Sequence, residues 1–122
     1  MALFRLSIDA EDDIISMLAW TESHFGDIAR RRYERLLAVA LRDIGANPEL
    51  VGSVPRPELG PALRSYHLFH SRERARTDDG IVRRPRHFFL YRAMNPDMVV
   101  IGRVLHDAMD IERNLPFDYG DE

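Results

Sequence analysis

Two successive amphipathic helical segments, the β-type segments around them and a closing pair of apolar runs joined by a short turn predict an α+β fold. In that fold a helical hairpin packs on one face of a small, mainly antiparallel sheet, in the order β-α-α-β-β-β with a short C-terminal helix. An α-hairpin needs an apolar surface to cover, and one face of the sheet is the surface available. At 122 residues the chain, 1–122, is expected to form a single domain, large enough for one core and too small for two.

Leu3 to Ile8 alternate Leu3, Arg5, Ser7 against Phe4, Leu6, Ile8, as a short strand does. Asp9 offers an N-cap to a first helix, with Glu11, Asp12 and Asp13 where the positive end of the helix dipole favours them. Ile14, Leu18, Thr21 and Phe25 recur at helical spacing, and Gly26 ends the segment. Asp27 caps a second helix whose apolar stripe is Ala29, Tyr33, Leu36, Leu37, Ala40, Leu41 and Ile44. A single Gly-Asp between two amphipathic helices implies an antiparallel α-hairpin.

Asn47-Pro48 stops the second helix. Residues 48 to 61 hold four prolines and two glycines and read as an irregular crossing. Leu63 to Phe69 is the next strand, with Leu63, Ser65, His67 and Phe69 on one face and Arg64, Tyr66 and Leu68 on the other. His70 to Arg84 is polar, charged and turn-rich, a loop. His87 to Tyr91 and Met98 to Leu105 then form a hairpin around Asn95-Pro96-Asp97, because Pro96 fixes φ and lacks an amide for the ladder. Asp107 to Leu115 can form the short last helix, and the acidic end at about 116–122 is a candidate for disorder.

No apolar run approaches the roughly 20 residues of a membrane span. The N-terminus lacks the basic and long apolar segments of a secretory signal, which reads as cytoplasmic. With no cysteine, disulfides and thiolate metal sites are excluded, and the five histidines form no H-x-x-x-H pair. No metal or cofactor is expected. The net charge of -3 conceals an asymmetry: residues 1–29 and 105–122 each carry -5, whereas 56–92 carries +5. All 17 basic residues are arginine, which removes lysine-dependent chemistry, although coding-sequence bias accounts for the absence of lysine as readily as selection does.

Several segments together resemble one family. They are Phe4-Arg5-Leu6-Ser7, His24-Phe25-Gly26, Ala29 through Tyr33 to Leu36, Pro48, Arg56-Pro57, Leu63-Arg64-Ser65-Tyr66, Phe88-Phe89-Leu90-Tyr91-Arg92, and Val99 to Leu105 followed by His106, Asp107 and Asp110. The combination is similar to the RelE/ParE superfamily of toxins from type II toxin-antitoxin modules. The strand ending Tyr91-Arg92 and the closing Ile101-Gly102-Arg103-Val104-Leu105-His106, then Asp110, resemble the ParE branch. RelE-type ribosome-dependent mRNA endonucleases usually end with a basic stretch and a Tyr, whereas His106 to Glu112 is acidic and has no Tyr.

The resemblance implies a toxin that inhibits DNA gyrase, belongs to a plasmid- or chromosome-stabilising module and is neutralised by a cognate antitoxin. That antitoxin would use an extended or amphipathic C-terminal segment, and without it no direct sequence-specific DNA binding is expected. The runner-up is the mRNA endonuclease, and a third reading is an inactive relative that keeps antitoxin binding.

A nuclease needs a base for the attacking 2′-hydroxyl and cations on the phosphate. Its candidates are Arg64, Arg92 and Arg103 as phosphate binders with His87 or His106 as acid or base. Asp107, Asp110 and Glu112 beside such a pocket would repel the substrate. No catalytic residue is therefore assigned under the leading reading, and His106 reads as a packed histidine at a strand end. Target or antitoxin contacts are expected from Arg64, Arg72, Arg74, Arg92, Arg103, His106, Asp107 and Asp110. Arg103 and Arg64 are also candidates to approach each other or to share a carboxylate such as Asp107, a structural salt bridge being the plainer outcome. Trp20 lies off the main stripe, at the hairpin edge or a partner contact, and Tyr33 is expected between the helices.

Overall fold

A computed structural model describes residues 3–108 of the chain. The expected acidic end at 116–122, Asp110 and most of the expected last helix from Asp107 to Leu115 lie outside the described residues. Seven elements follow one another: β1 (Leu3–Leu6), α1 (Ile8–Phe25), α2 (Asp27–Ala46), β2 (Ser53–Pro55), β3 (Leu63–His67), β4 (His87–Asn95) and β5 (Met98–His106). A 3-10 turn, Leu68–Ser71, follows β3. The strands form one sheet in the order β1-β5-β4-β3-β2, parallel between β1 and β5 and antiparallel elsewhere.

This is the expected α+β architecture, with one strand added. The stretch read as an irregular crossing contains β2, which pairs with β3 through Ser53, Val54 and Pro55. Proline is tolerated there because β2 is an outer strand and the missing amide interrupts no interior ladder. The predicted strand Leu63–Phe69 ends earlier, at His67, where the chain tightens into the 3-10 turn.

The helical hairpin also differs in detail. Ser7, not Asp9, caps α1: its backbone is extended, and the Ala10 amide donates to its Oγ at 3.0 Å. The helix therefore begins at Ile8, and Asp9 and Glu11 occupy its first turn. Ala10, Met17 and Thr21 are the buried face of α1, with Ile14 and Leu18 packed partly against the core. Phe25, expected on that face, is 69 % exposed, because the chain turns out at Gly26. Gly26 has φ +92°, a conformation that L side chains rarely adopt, and this allows α2 to restart after one residue. From α2, Leu36, Leu37, Ala40 and Ile44 pack with Phe89, Tyr91, Val99 and Ile101 of the sheet in the main core.

The β4–β5 hairpin carries two compensating irregularities. Its register is offset between Ala93 and Asn95 and again between Leu90 and Tyr91, so that Met94 is extra on β4 and Gly102 is extra on β5. The offsets cancel, and His87 stands opposite His106 as an uninterrupted hairpin would place it. The start of α1 serves the groups at the Gly102 bulge. Ser7 Oγ donates to the Gly102 carbonyl at 2.7 Å, and the Val104 amide donates to Asp13 Oδ2 at 2.9 Å. Asp13 also accepts two bonds from Arg103, Nε to Oδ2 at 2.7 Å and a terminal nitrogen to Oδ1 at 2.9 Å, with both side chains 17 % exposed.

Removing this carboxylate takes two hydrogen bonds from the Arg103 guanidinium and one from the Val104 amide. Asp13→Ala is therefore expected to lower unfolding stability by about 2–3 kcal/mol, read as a lower urea midpoint with unchanged m. An unchanged midpoint would show that α1 is held to β5 by packing alone.

Candidate functional site

The register of three antiparallel strands gathers three histidines. His87 and His106 face each other across β4 and β5, and His67 is the last residue of β3, opposite Phe88. The rings of His87 and His106 meet edge to face with centroids 5.3 Å apart. Each of the three histidines has its Nδ1 against a specific partner. The Phe69 amide donates to His67 Nδ1 at 3.1 Å, and the Ala108 amide donates to His106 Nδ1 at 3.1 Å. His87 Nδ1 lies 2.8 Å from the Tyr33 hydroxyl, which itself accepts from the Arg86 amide at 3.1 Å. Tyr33 thus has its proton to give to His87. In the neutral form each ring is consequently assigned the tautomer with the proton on Nε2.

Electrostatics follow from burial and pairing. Burial, together with the neighbouring His106, pushes the His87 imidazole down to about 4, so it is neutral near pH 7. Burial pushes the Tyr33 phenol up to about 12. Asp107 accepts from Arg86 at 2.9–3.1 Å, which holds its carboxyl down at about 2, and it also lies 3.2 Å from His67 Nε2.

Beside these histidines opens a cavity of about 1040 Å³ between the helical hairpin and the segment from Arg76 to His87. Met17, Trp20, Phe25, Ala29, Ile81 and Val82 supply apolar lining, while Arg32, Arg83, Arg84, His87 and His106 supply polar lining. Trp20 is 55 % exposed and stacks on His24 with centroids 4.2 Å apart, with the edge of Phe25 near its ring.

The segment that closes this cavity is more structured than a solvated loop. Asp43 on α2 accepts from Ser71 at 2.7 Å and from Arg74 Nε at 2.9 Å, and the Tyr66 hydroxyl joins Ser71 at 2.7 Å. Ala75 is buried and Val82 packs partly against the core.

The residues expected to act together are divided. Arg64 lies toward the other end of β3, where its Nε donates to Ser53 Oγ at 2.7 Å and Glu49 is 3.6 Å away. Arg92 stands opposite Leu63 and Val100, five residues along β4 from His87, or about 16 Å at ~3.3 Å per residue. Arg103 is held by Asp13. The expectation that Arg64 and Arg103 meet, or share Asp107, is therefore corrected: Ser53 and Glu49 engage one, Asp13 the other, and Asp107 pairs with Arg86. Arg72 donates to the Arg83 carbonyl at 2.9 Å and lies over the Phe69 ring, and Arg74 is committed to Asp43. Tyr33, expected between the helices, is buried in the core with residues of both, and its hydroxyl reaches His87.

Sequence reasoning missed Tyr33, His67 and Arg86 as parts of one cluster. The pairing of His87 with His106 was legible in principle from the hairpin turn, whereas the approach of Tyr33 required the packing of α2 on the sheet. Among the described residues no group of three or more acidic, histidine or cysteine side chains forms a metal site, and no helix is long and apolar enough to cross a membrane.

Two acid transitions should follow. Between pH 6.5 and about 4 the unfolded chain protonates His87 while the folded chain resists, so stability is lost as the pH falls across that window. From 3.8 to about 2 the same sign applies to Asp107, whose ionised form is favoured by folding. His87→Gln should flatten the first fall and Asp107→Asn the second, measured as Tm against pH. Parallel curves for wild type and both variants would remove these groups from the linkage.

Residues 4–111 match the family model described as the ParE toxin of type II toxin-antitoxin system, parDE. No curated protein matches the chain significantly.

Proposed function

The chain belongs to the ParE toxin family of type II toxin-antitoxin systems, and from that premise we propose that it inhibits DNA gyrase by binding, without catalysis, and is neutralised by its cognate antitoxin. The observation that carries this reading is the family match across residues 4–111, in a chain where His87 and His106 meet but the candidate phosphate-binding arginines Arg64 and Arg92 lie away from them and Arg103 pairs with Asp13. Hydrolytic or transfer chemistry at a phosphate needs a base, an acid and cations within a few ångströms of one another. Here Arg64 and Arg92 lie away from the histidine end, and Arg103 is engaged by Asp13. Asp107 adds an anion beside His67 and His106, which disfavours an entering phosphate.

The family implies an antitoxin partner. The geometry supports a place for its extended segment at the sheet margin. β1 is an outer strand bonded on one side to β5, and Leu3 and Phe4 are 69 % and 44 % exposed. An outer strand with apolar side chains is suited to strand addition. Contacts from Arg64, Arg72, Arg74, Arg92, Arg103, His106, Asp107 and Asp110 belong to the same proposal. Arg74 and Arg103 would act there mainly by holding the fold, given their bonds to Asp43 and Asp13.

Expression of the chain alone is expected to arrest growth, and the purified protein to block gyrase supercoiling while mRNA ends stay unchanged. Co-expression of the antitoxin should restore growth. Codon-phased mRNA cleavage with normal supercoiling would overturn the proposal in favour of a ribosome-dependent endonuclease. Normal growth with normal supercoiling would overturn it in favour of an inactive relative.

A further inference from the structure

The helical hairpin covers one face of the sheet, where Tyr66, Phe89, Tyr91, Ile101 and Val104 join the main core. Their alternates lie on the far face, in cross-strand rows that the register fixes. Leu63, Arg92 and Val100 form one row, Ser65, Leu90 and Arg103 the next, and His67, Phe88 and Leu105 the last. The bulge at Gly102 keeps Val100 and Arg103 on the same side although they are three residues apart.

A sheet face left to solvent ordinarily carries polar side chains. Here Leu90 and Leu105 are fully buried and Phe88 is 8 % exposed. In the first row, Leu63 and Val100 are covered by Leu59, Met94 and Met98. Phe88, Leu90 and Leu105 belong to neither of the two apolar clusters formed among the described residues. Their cover therefore comes from outside those clusters.

The path of the chain after β5 indicates its source. Asp107 lies 3.2 Å from His67 Nε2, two strands across the sheet and in the row of Phe88 and Leu105. The Asp107 amide donates to the Arg86 carbonyl at 2.7 Å, so the chain leaves β5 bent back across the end of the sheet. Residues 109–122 follow directly, outside the described residues. They include Met109, Ile111, Leu115, Phe117 and Tyr119, too apolar a set for a wholly solvated end, and five acids against Arg113. From β5 to β3 is only about 10 Å, and fourteen residues at ~3.3 Å each reach several times as far.

We propose that residues 109–122 of this chain strap the far face of the sheet. Ile111, Leu115 and Phe117 cover Phe88, Leu90 and Leu105, and the acids of the segment lie toward Arg92 and Arg5, which stand on either side of Val100. A second copy is a poorer occupant, because a two-fold contact through this face would bring its arginines against their own counterparts. The strap closes the far face and leaves the outer edge of β1 open to a partner. None of this depends on the gyrase reading.

The test is NMR of the full chain at two protein concentrations. Nuclear Overhauser contacts are expected from the Phe117 ring to the methyl groups of Leu90 and Leu105, equal at both concentrations. Their absence, or contacts to Leu36 and Ile44 on the helix side instead, would overturn the strap. Contacts that appear between labelled and unlabelled copies in a mixed sample would overturn it in favour of a second copy. The paired variant Ile111→Ser with Phe117→Ser should lower Tm by about 10 °C. It should also open the Leu90 and Leu105 methyl groups to a soluble nitroxide while Leu36 and Ile44 stay shielded. An unchanged Tm with unchanged shielding would overturn the proposal.

Discussion

The clasp between the start of α1 and the Gly102 bulge is the constraint on which the other features depend. A bulge in a central hairpin inserts a residue that the facing strand does not match, and buried backbone groups left without partners cost about 1–3 kcal/mol each. Here Ser7 bonds the Gly102 carbonyl, and Asp13 bonds both the Val104 amide and the Arg103 guanidinium. Ser7 also caps α1, so one side chain fixes the helix start and serves the irregular strand. The same clasp ties the first turns of α1 to β5. Without the bulge, the offset near Met94 would persist to the end of the hairpin, and His87 would not face His106.

A second set of bonds determines what lies beyond the sheet. Asp43 gathers Ser71, Arg74 and, through Ser71, Tyr66, so the polar segment after β3 is fastened to α2. The chain must then travel from that anchor to β4, and in doing so it passes opposite Trp20, Phe25 and Tyr33, enclosing the cavity. This accounts for two kinds of arginine in one basic region. Arg74 and Arg86 have carboxylate partners and shape the segment, while Arg83 and Arg84 are exposed and have no carboxylate partner among the described residues.

Much of the fold was legible because it depends on local signals: helical periodicity, a Gly-Asp junction, a proline turn between two apolar runs. β2 was not, since its three residues include a proline and become a strand only by pairing with β3. Ser7 and Asp9 were both acceptable caps by residue type, and the choice was made by the Gly102 carbonyl, 95 positions away. The site was less legible for the same reason. Arginine has many equivalent carboxylate partners in a chain with 20 acids, and proximity in sequence does not predict that Arg103 meets Asp13 or that Asp107 meets Arg86. The His87–His106 pairing needed only the turn, because the two register offsets cancel.

The histidine end invites a catalytic interpretation until its protons are followed. A general base needs a free lone pair directed at substrate, and each of these rings has its Nδ1 lone pair already engaged by Tyr33, Ala108 or Phe69. In this tautomer the remaining ring nitrogen of His87 and of His106, both residues of the cavity lining, is a donor. His87 further resists protonation down to about 4, so near pH 7 it is a poor proton source for a leaving group. A cluster with the composition of an acid–base site thus has all three Nδ1 atoms engaged within the fold.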